Sequence, residues 1–206
     1  MRYTTARVAI HAAYLTGEKG IDPKDVAEKF GISRSRLSDD IRIVQQVECG
    51  YIQKAMDRLK ERDRALYAWN MFAYAPPGAA HGFERSWVLE WLVRRYLEET
   101  GVNPLLDMRL QMLARIAMQD YALMDRQGSR RRRPNSDFDR ALMLPAGEYK
   151  QGSPWHRAFY RFYDYCKELP ERSLPPIGKV IGIMLDQAEG DPDAAERLRK
   201  ELGVAA

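Results

Sequence analysis

The chain has 206 residues, 45% of them hydrophobic and 30% charged, and its 33 Lys and Arg against 29 Asp and Glu give a formal net charge of +4. That suffices to bury a core in one large domain or two small ones, and the mild positive balance is compatible with nucleic acid without requiring it. Two distant cysteines, Cys49 and Cys166, stand outside any CxxC or His-rich setting, and no window approaches a membrane span or a signal peptide, so neither a disulfide framework nor a zinc site is suggested and a soluble protein is expected.

From the N-terminus, Thr4 or Thr5 caps a first helix to about Thr16, with Val8, Ala12 and Leu15 on one face and Gly17 and Gly20 closing it. His11 lies in this helix as an isolated surface or core-edge histidine. The stretch Asp22 to Val44 is the most informative in the chain. Asp22 is an N-cap, Pro23 suits the first helical position, and Val26, Ala27 and Phe30 share an inner face. Gly31 then stops the helix, Ile32 plugs the corner, and Ser33 caps a second helix with Leu37, Ile41 and Val44 inward. Two short helices joined by so tight a turn form a helix-turn-helix, and the first helix supplies the third member it needs.

At these residues the sequence resembles the helix-turn-helix of bacterial and phage repressors: small Ala27, the turn Gly31 four later, apolar Ile32 after it, then Leu37 and Ile41. Asp40 departs from the pattern, which more often has a small or apolar residue there, and Arg36 can pair with it one turn away. The resemblance covers about the first fifty residues and implies that the second helix enters the DNA major groove, which admits one helix and presents a distinct donor and acceptor pattern for each base pair. With Leu37, Ile41 and Val44 inward, the outward candidates are Ser33, Arg34, Ser35, Ser38, Arg42 and Gln45, together with the acidic Asp39. Arg34 suits a bidentate pair with guanine, Ser38 a base or phosphate, and Arg42 a phosphate or a further base. The backbone N–H groups at Ser33 to Ser35 favour a phosphate.

Downstream, the second helix of this motif runs past Val47 to an interruption at Cys49-Gly50, and a long amphipathic helix spans Tyr51 to about Tyr74, ended by Pro76-Pro77-Gly78. A helix from about Phe83 to Glu99 stops at Gly101, and Asn103 caps another from Pro104 to about Gln127 with two apolar faces. After a loop with four consecutive arginines comes a short helix, Asp137 to Leu144, and then a glycine-containing loop from Pro145 to Pro154. Trp155 to Leu169 is an aromatic helix with Trp155, Phe159, Phe162, Tyr163 and Cys166 inward; helical spacing marks these as core, not as a stacking platform for single strands. Pro170 and Pro175-Pro176 bracket a turn before a compact helix from Ile177 to Leu185, in which Gly178 and Gly182 allow another helix close approach. Asp191-Pro192 opens the last helix, to about Leu202, with Gly203 as its stop. No strand pattern and no internal repeat compete.

The fold class expected is therefore all-α: a tri-helical helix-turn-helix domain at 1–50, a helical oligomerisation core at 51–128, a basic linker or arm at 129–154, and a C-terminal helical segment at 155–206 that packs on the core or binds a protein partner. Residues 1–50 hold 8 Lys and Arg against 7 Asp and Glu, so tight DNA binding needs dimerisation or basic residues elsewhere. Residues 129–165 hold 8 against 4, and there Arg130, Arg131, Arg132 and Arg133 read equally as a phosphate-tracking arm or as a solvated linker.

With isolated histidines, no Gly-rich phosphate loop and no nucleophile signature, an enzyme reading has little to stand on, and no cofactor or metal is expected. The function expected is sequence-specific binding of double-stranded DNA by a cytoplasmic homo-oligomer, a dimer favoured, acting as a transcriptional regulator of phage, plasmid or mobile-element type. Two rivals remain. Small terminase subunits, the adaptors of phage DNA packaging, look similar in outline without a shared motif, and a near-neutral tri-helical start also suits a protein-interaction module that binds no DNA.

Overall fold

The computed structural model describes residues 5–15, 39–76, 79, 82–103, 107–127 and 133–203, with residues 39–46 and 126–127 described by their backbone alone. Eight helices and no strand occur among the described residues: α1 (Ala6–Leu15), α2 (Asp39–Arg62), α3 (Arg64–Tyr74), α4 (Gly82–Thr100), α5 (Met108–Gln127), α6 (Asn135–Ala141), α7 (Pro154–Ala188) and α8 (Ala194–Leu202). The chain is all-α. Contacts divide it into two compact units, Met1–His81 with Ser173–Ala206, and Gly82–Arg172.

In the first unit, α1 opens as its sequence predicts, with the Val8 N–H donating to Thr5 Oγ1 at 3.3 Å. Its buried face is Ala9, Ile10 and Ala13, where small side chains let α2 and α3 approach closely. Gln53 Nε2 donates to the Ala13 carbonyl at 2.8 Å, and His11 Nδ1 lies 3.0 Å from the Tyr74 carbonyl, so both neighbours hold α1 by polar bonds as well as packing.

The expected break at Cys49-Gly50 does not occur. α2 runs through Gly50 as one helix of 24 residues. A helix-interior glycine costs about 1 kcal/mol relative to alanine, and burial of Cys49, Ile52, Ala55, Met56 and Leu59 on one face outweighs it. The real break comes later, at Asp63, inside the stretch expected to be one helix. Asp63 leaves helical geometry at φ −152° and ψ 99°, and its Oδ1 accepts from the N–H groups of Ala65 and Leu66 at 3.0 and 3.2 Å. α3 that follows buries nine of its 11 residues, among them Trp69 and Asn70 at 0% exposure. It ends just before Pro76, as the proline run predicts.

The turn expected between Pro170 and Pro176 is also absent, because α7 continues from Pro154 to Ala188 through all three prolines. Each removes one helical N–H, leaving the carbonyls of Cys166, Glu171 and Arg172 without their usual donors. What sustains the helix is a buried stripe at spacings of three or four: Cys166, Leu169, Ser173, Ile177 and Val180. Ser173, fully buried, donates from Oγ to Asn70 Oδ1 at 2.7 Å, and Asn70 Nδ2 returns a bond to the Ser173 carbonyl at 3.3 Å. α8 closes the unit. Gly203 takes the left-handed conformation at φ 62° that ends the helix, and Arg58 Nη1 donates to the Lys200 carbonyl at 3.4 Å.

The second unit has an aromatic core. Tyr96 of α4 stacks on Phe162 of α7 at 4.6 Å, Tyr121 of α5 meets Tyr163 edge-on at 5.1 Å, and Phe138 of α6 stacks on Tyr149 at 4.1 Å with Phe159 edge-on at 4.9 Å. Phe159, Phe162, Tyr163 and Cys166 are buried as expected from their spacing, while Trp155 is only half-buried. Tyr165, outside that inward set, is buried too and donates its hydroxyl proton to Glu99 Oε2 at 2.6 Å. The loop after α6 is fixed by Asp139, whose two carboxylate oxygens accept from the N–H groups of Tyr149 at 2.7 Å and Gly147 at 2.8 Å.

Candidate nucleic-acid interface

Helix α2 is the described element that carries the motif's last residues. Its backbone includes Arg42 and Gln45, whereas Ser33, Arg34, Ser35 and Ser38 lie outside the described residues, as does the rest of the segment from Asp22 that carries the repressor-like pattern. Positions seven apart in a continuous helix share a face. Gln45 therefore stands in the register of Ile52, which is fully buried, and Arg42 in that of buried Cys49. Farther along, α2 exposes Lys54, Lys60 and Arg62 together with Asp57 and Glu61, so its solvent face is mixed in sign. The Lys60 ammonium sits over the Tyr67 ring at 5.1 Å.

The four-arginine run divides. Arg130, Arg131 and Arg132 lie outside the described residues, and Arg133 is bound within the fold. Arg133 Nε reaches both oxygens of Asp120, at 2.9 and 2.7 Å, with the Arg133 side chain 20% exposed and that of Asp120 5% exposed. The hydrogen bond to Asp120 raises the guanidinium pKa above its already high value. This guanidinium is spent on a buried carboxylate, which separates Arg133 from the arm expected of all four arginines. The one sequence signal for the pair was Asp120 itself, a carboxylate between the apolar residues Ala117 and Tyr121 of a helix packed on two faces.

Other groups with chemical potential are held in structural roles. Burial pushes the Tyr121 hydroxyl up to about 12, with Asp125 adding to the effect. Burial likewise raises Tyr96 and Tyr165, and it raises the Cys166 thiol far above its ordinary value, which keeps that sulfur protonated and unreactive. Cys49 and Cys166 are both buried and free of disulfides. His156 packs against the rings of Tyr149 and Tyr160. Among the described residues no three of His, Cys, Asp and Glu gather as a metal site, and no helix is long and apolar enough to cross a membrane. No protein-family model, no curated protein and no solved structure matches the chain.

Proposed function

We propose that the chain binds double-stranded DNA sequence-specifically, as a regulator of transcription of the phage, plasmid or mobile-element kind. The observation that carries this reading is the helix-turn-helix pattern from Asp22 to Val44, with its caps, its turn glycine and the inner face Leu37, Ile41 and Val44. Two features of the first unit support it. α1 packs on α2 and α3, giving the motif an adjoining helix, and α2 continues from Asp39 into the buried core at Cys49 and Ile52, so a reading helix joined to it would be rigidly backed. Reading falls to Arg34, Ser35 and Ser38, with Ser33 at the phosphate-facing cap; the registers of buried Cys49 and Ile52 make Arg42 and Gln45 the weakest of the set.

The near-neutral N-terminal segment gains its affinity by dimerisation, with Arg130, Arg131 and Arg132 as added phosphate contacts. A twofold dimer reads a near-palindrome whose half-sites lie about one helical turn apart or a multiple. The test begins with selection of bound sequences from a random duplex pool. Arg34→Ala with Ser38→Ala should then lose about 1–3 kcal/mol of discrimination per lost base contact at defined positions of the selected site. Unchanged sequence preference in the folded double variant removes the reading helix from the proposal, and absence of duplex binding even at low salt removes DNA binding altogether.

A further inference from the structure

The second unit carries a small apolar cleft that its own core does not use. It has a volume of about 220 Å³ and is formed by Asp107, Met108, Arg109 and Met112 at the start of α5 and by Ala141, Leu142 and Met143 at the end of α6; Asp107 Oδ1 accepts from the Arg109 N–H at 2.8 Å. Met108 is 69% exposed and Met143 73% exposed, among the most exposed large apolar side chains described. Such a pair at the rim of a concavity marks a contact surface more than a stray hydrophobe does.

Hydrogen bonds and a ring contact tie the chain around it. Arg109 Nε donates to the Leu142 carbonyl at 3.1 Å, its guanidinium lies 5.5 Å from the centre of the Trp155 ring, and Leu144 N–H donates to the Asp139 carbonyl at 2.8 Å. Within this frame Met143 is the one non-glycine residue described at positive φ, at 51°, a conformation that disfavours any side chain with a Cβ. A long apolar side chain is thus held in a strained turn and turned out to water, and strain of this kind collects where a ligand is met. Methionine suits the role, being unbranched, polarizable and able to repack around different shapes.

Size and charge identify the occupant. Small-molecule sites span roughly 300–1,000 Å³, so this cleft is too small for one and fits a single large side chain. Arg115 continues the stripe of Met108 and Met112 at the next turn, and Arg140 immediately precedes Ala141; both are exposed, neither makes an ion pair with any described residue, and with Arg109 they outweigh the one carboxylate of the lining, Asp107. We propose that this methionine-lined cleft docks one apolar anchor residue of a partner polypeptide whose flanking carboxylates pair with Arg115 and Arg140. The partner segment is acidic and amphipathic, and its recognition is independent of DNA.

The test is a selection of displayed random peptides against the full-length chain, followed by binding measurements on the synthetic winners. Expected winners carry one large apolar residue beside Asp or Glu, shift the methyl resonances of Met108, Met112 and Met143, and weaken with salt. Met108→Gln with Met143→Gln should weaken them at least tenfold, and Arg115→Glu with Arg140→Glu about as much, with the thermal midpoint of each variant showing the fold retained. Winners indifferent to these substitutions, winners lacking acidic residues, or a selection with no binder at the cleft overturn the proposal. So does conversion of an oligomer to a monomer by the methionine substitutions, which gives the cleft to a second copy of the chain.

Discussion

Asp120 and Arg133 show how much one residue can determine in this molecule. A carboxylate 5% exposed in its side chain is tolerable only with its charge matched, and Arg133 Nε supplies the match at 2.7 Å. Removing one member of a buried pair costs about 3–5 kcal/mol, because the other charge is stranded. Arg133→Ala should therefore lower the stability of the second unit by about that much, read as the urea midpoint, while an arginine serving only DNA would leave the midpoint unchanged. Tyr121 makes a parallel case with pH as the variable. Its hydroxyl has an ordinary value of 10.0 and is pushed up to about 12 by burial, so the folded state holds the proton more tightly than the unfolded state. The resulting stability is fully present below the unfolded value and is lost as pH rises from there through the folded one. Tyr121→Phe should flatten that alkaline fall in the urea midpoint, with little change at neutral pH; an equally steep fall in the variant assigns the loss to other groups.

At the scale of the element, α7 is where local signals and packing disagree most. Pro170, Pro175 and Pro176 argue for a turn, and every local rule supports that reading. The stripe Cys166, Leu169, Ser173, Ile177, Val180 crosses them in register, however, and its burial, with the Asn70–Ser173 bonds, outweighs the lost donors. The same balance explains Gly50, where propensity predicts a break and buried neighbours hold one helix together. Ends set by side-chain capping or by a left-handed glycine, at Thr5 and Gly203, were legible because the cause lies within a few residues. The Asp63 break was missed because an Asp among Lys, Glu and Arg reads as a solvated helix face. The Asp120–Arg133 pair spans separate elements, and no spacing announces it. Pro175 allows a direct test, since it is exposed and its replacement disturbs no packing. Proline costs about 3 kcal/mol in a helix interior, offset by about 0.4–1 kcal/mol through its restriction of the unfolded chain. Pro175→Ala should raise stability by about 2 kcal/mol. A loss instead means that a helix starts at Pro175, where proline is favourable.

For the whole molecule, the proposed DNA binding requires a source of affinity for a polyanion in a chain with a net charge of only +4. The N-terminal segment proposed to read bases is nearly neutral, and Arg133 is committed to Asp120, which leaves Arg130, Arg131 and Arg132 as the densest run of positive charge. Phosphate contacts and base contacts leave different signatures. Each neutralised phosphate steepens the dependence of log K on log salt by about 0.9, whereas a base contact changes which sequence is preferred. If the three arginines track the backbone, Arg130→Ala, Arg131→Ala and Arg132→Ala together should flatten the salt dependence by up to about 2.7 and weaken selected and unselected duplexes alike. Arg34→Ala with Ser38→Ala should instead narrow the gap between selected and unselected duplexes. Titrations of both variants on the selected site and on a scrambled duplex, across a series of salt concentrations, separate the two contributions. An unchanged slope in the triple variant makes the arginine run a solvated linker and leaves dimerisation as the source of affinity.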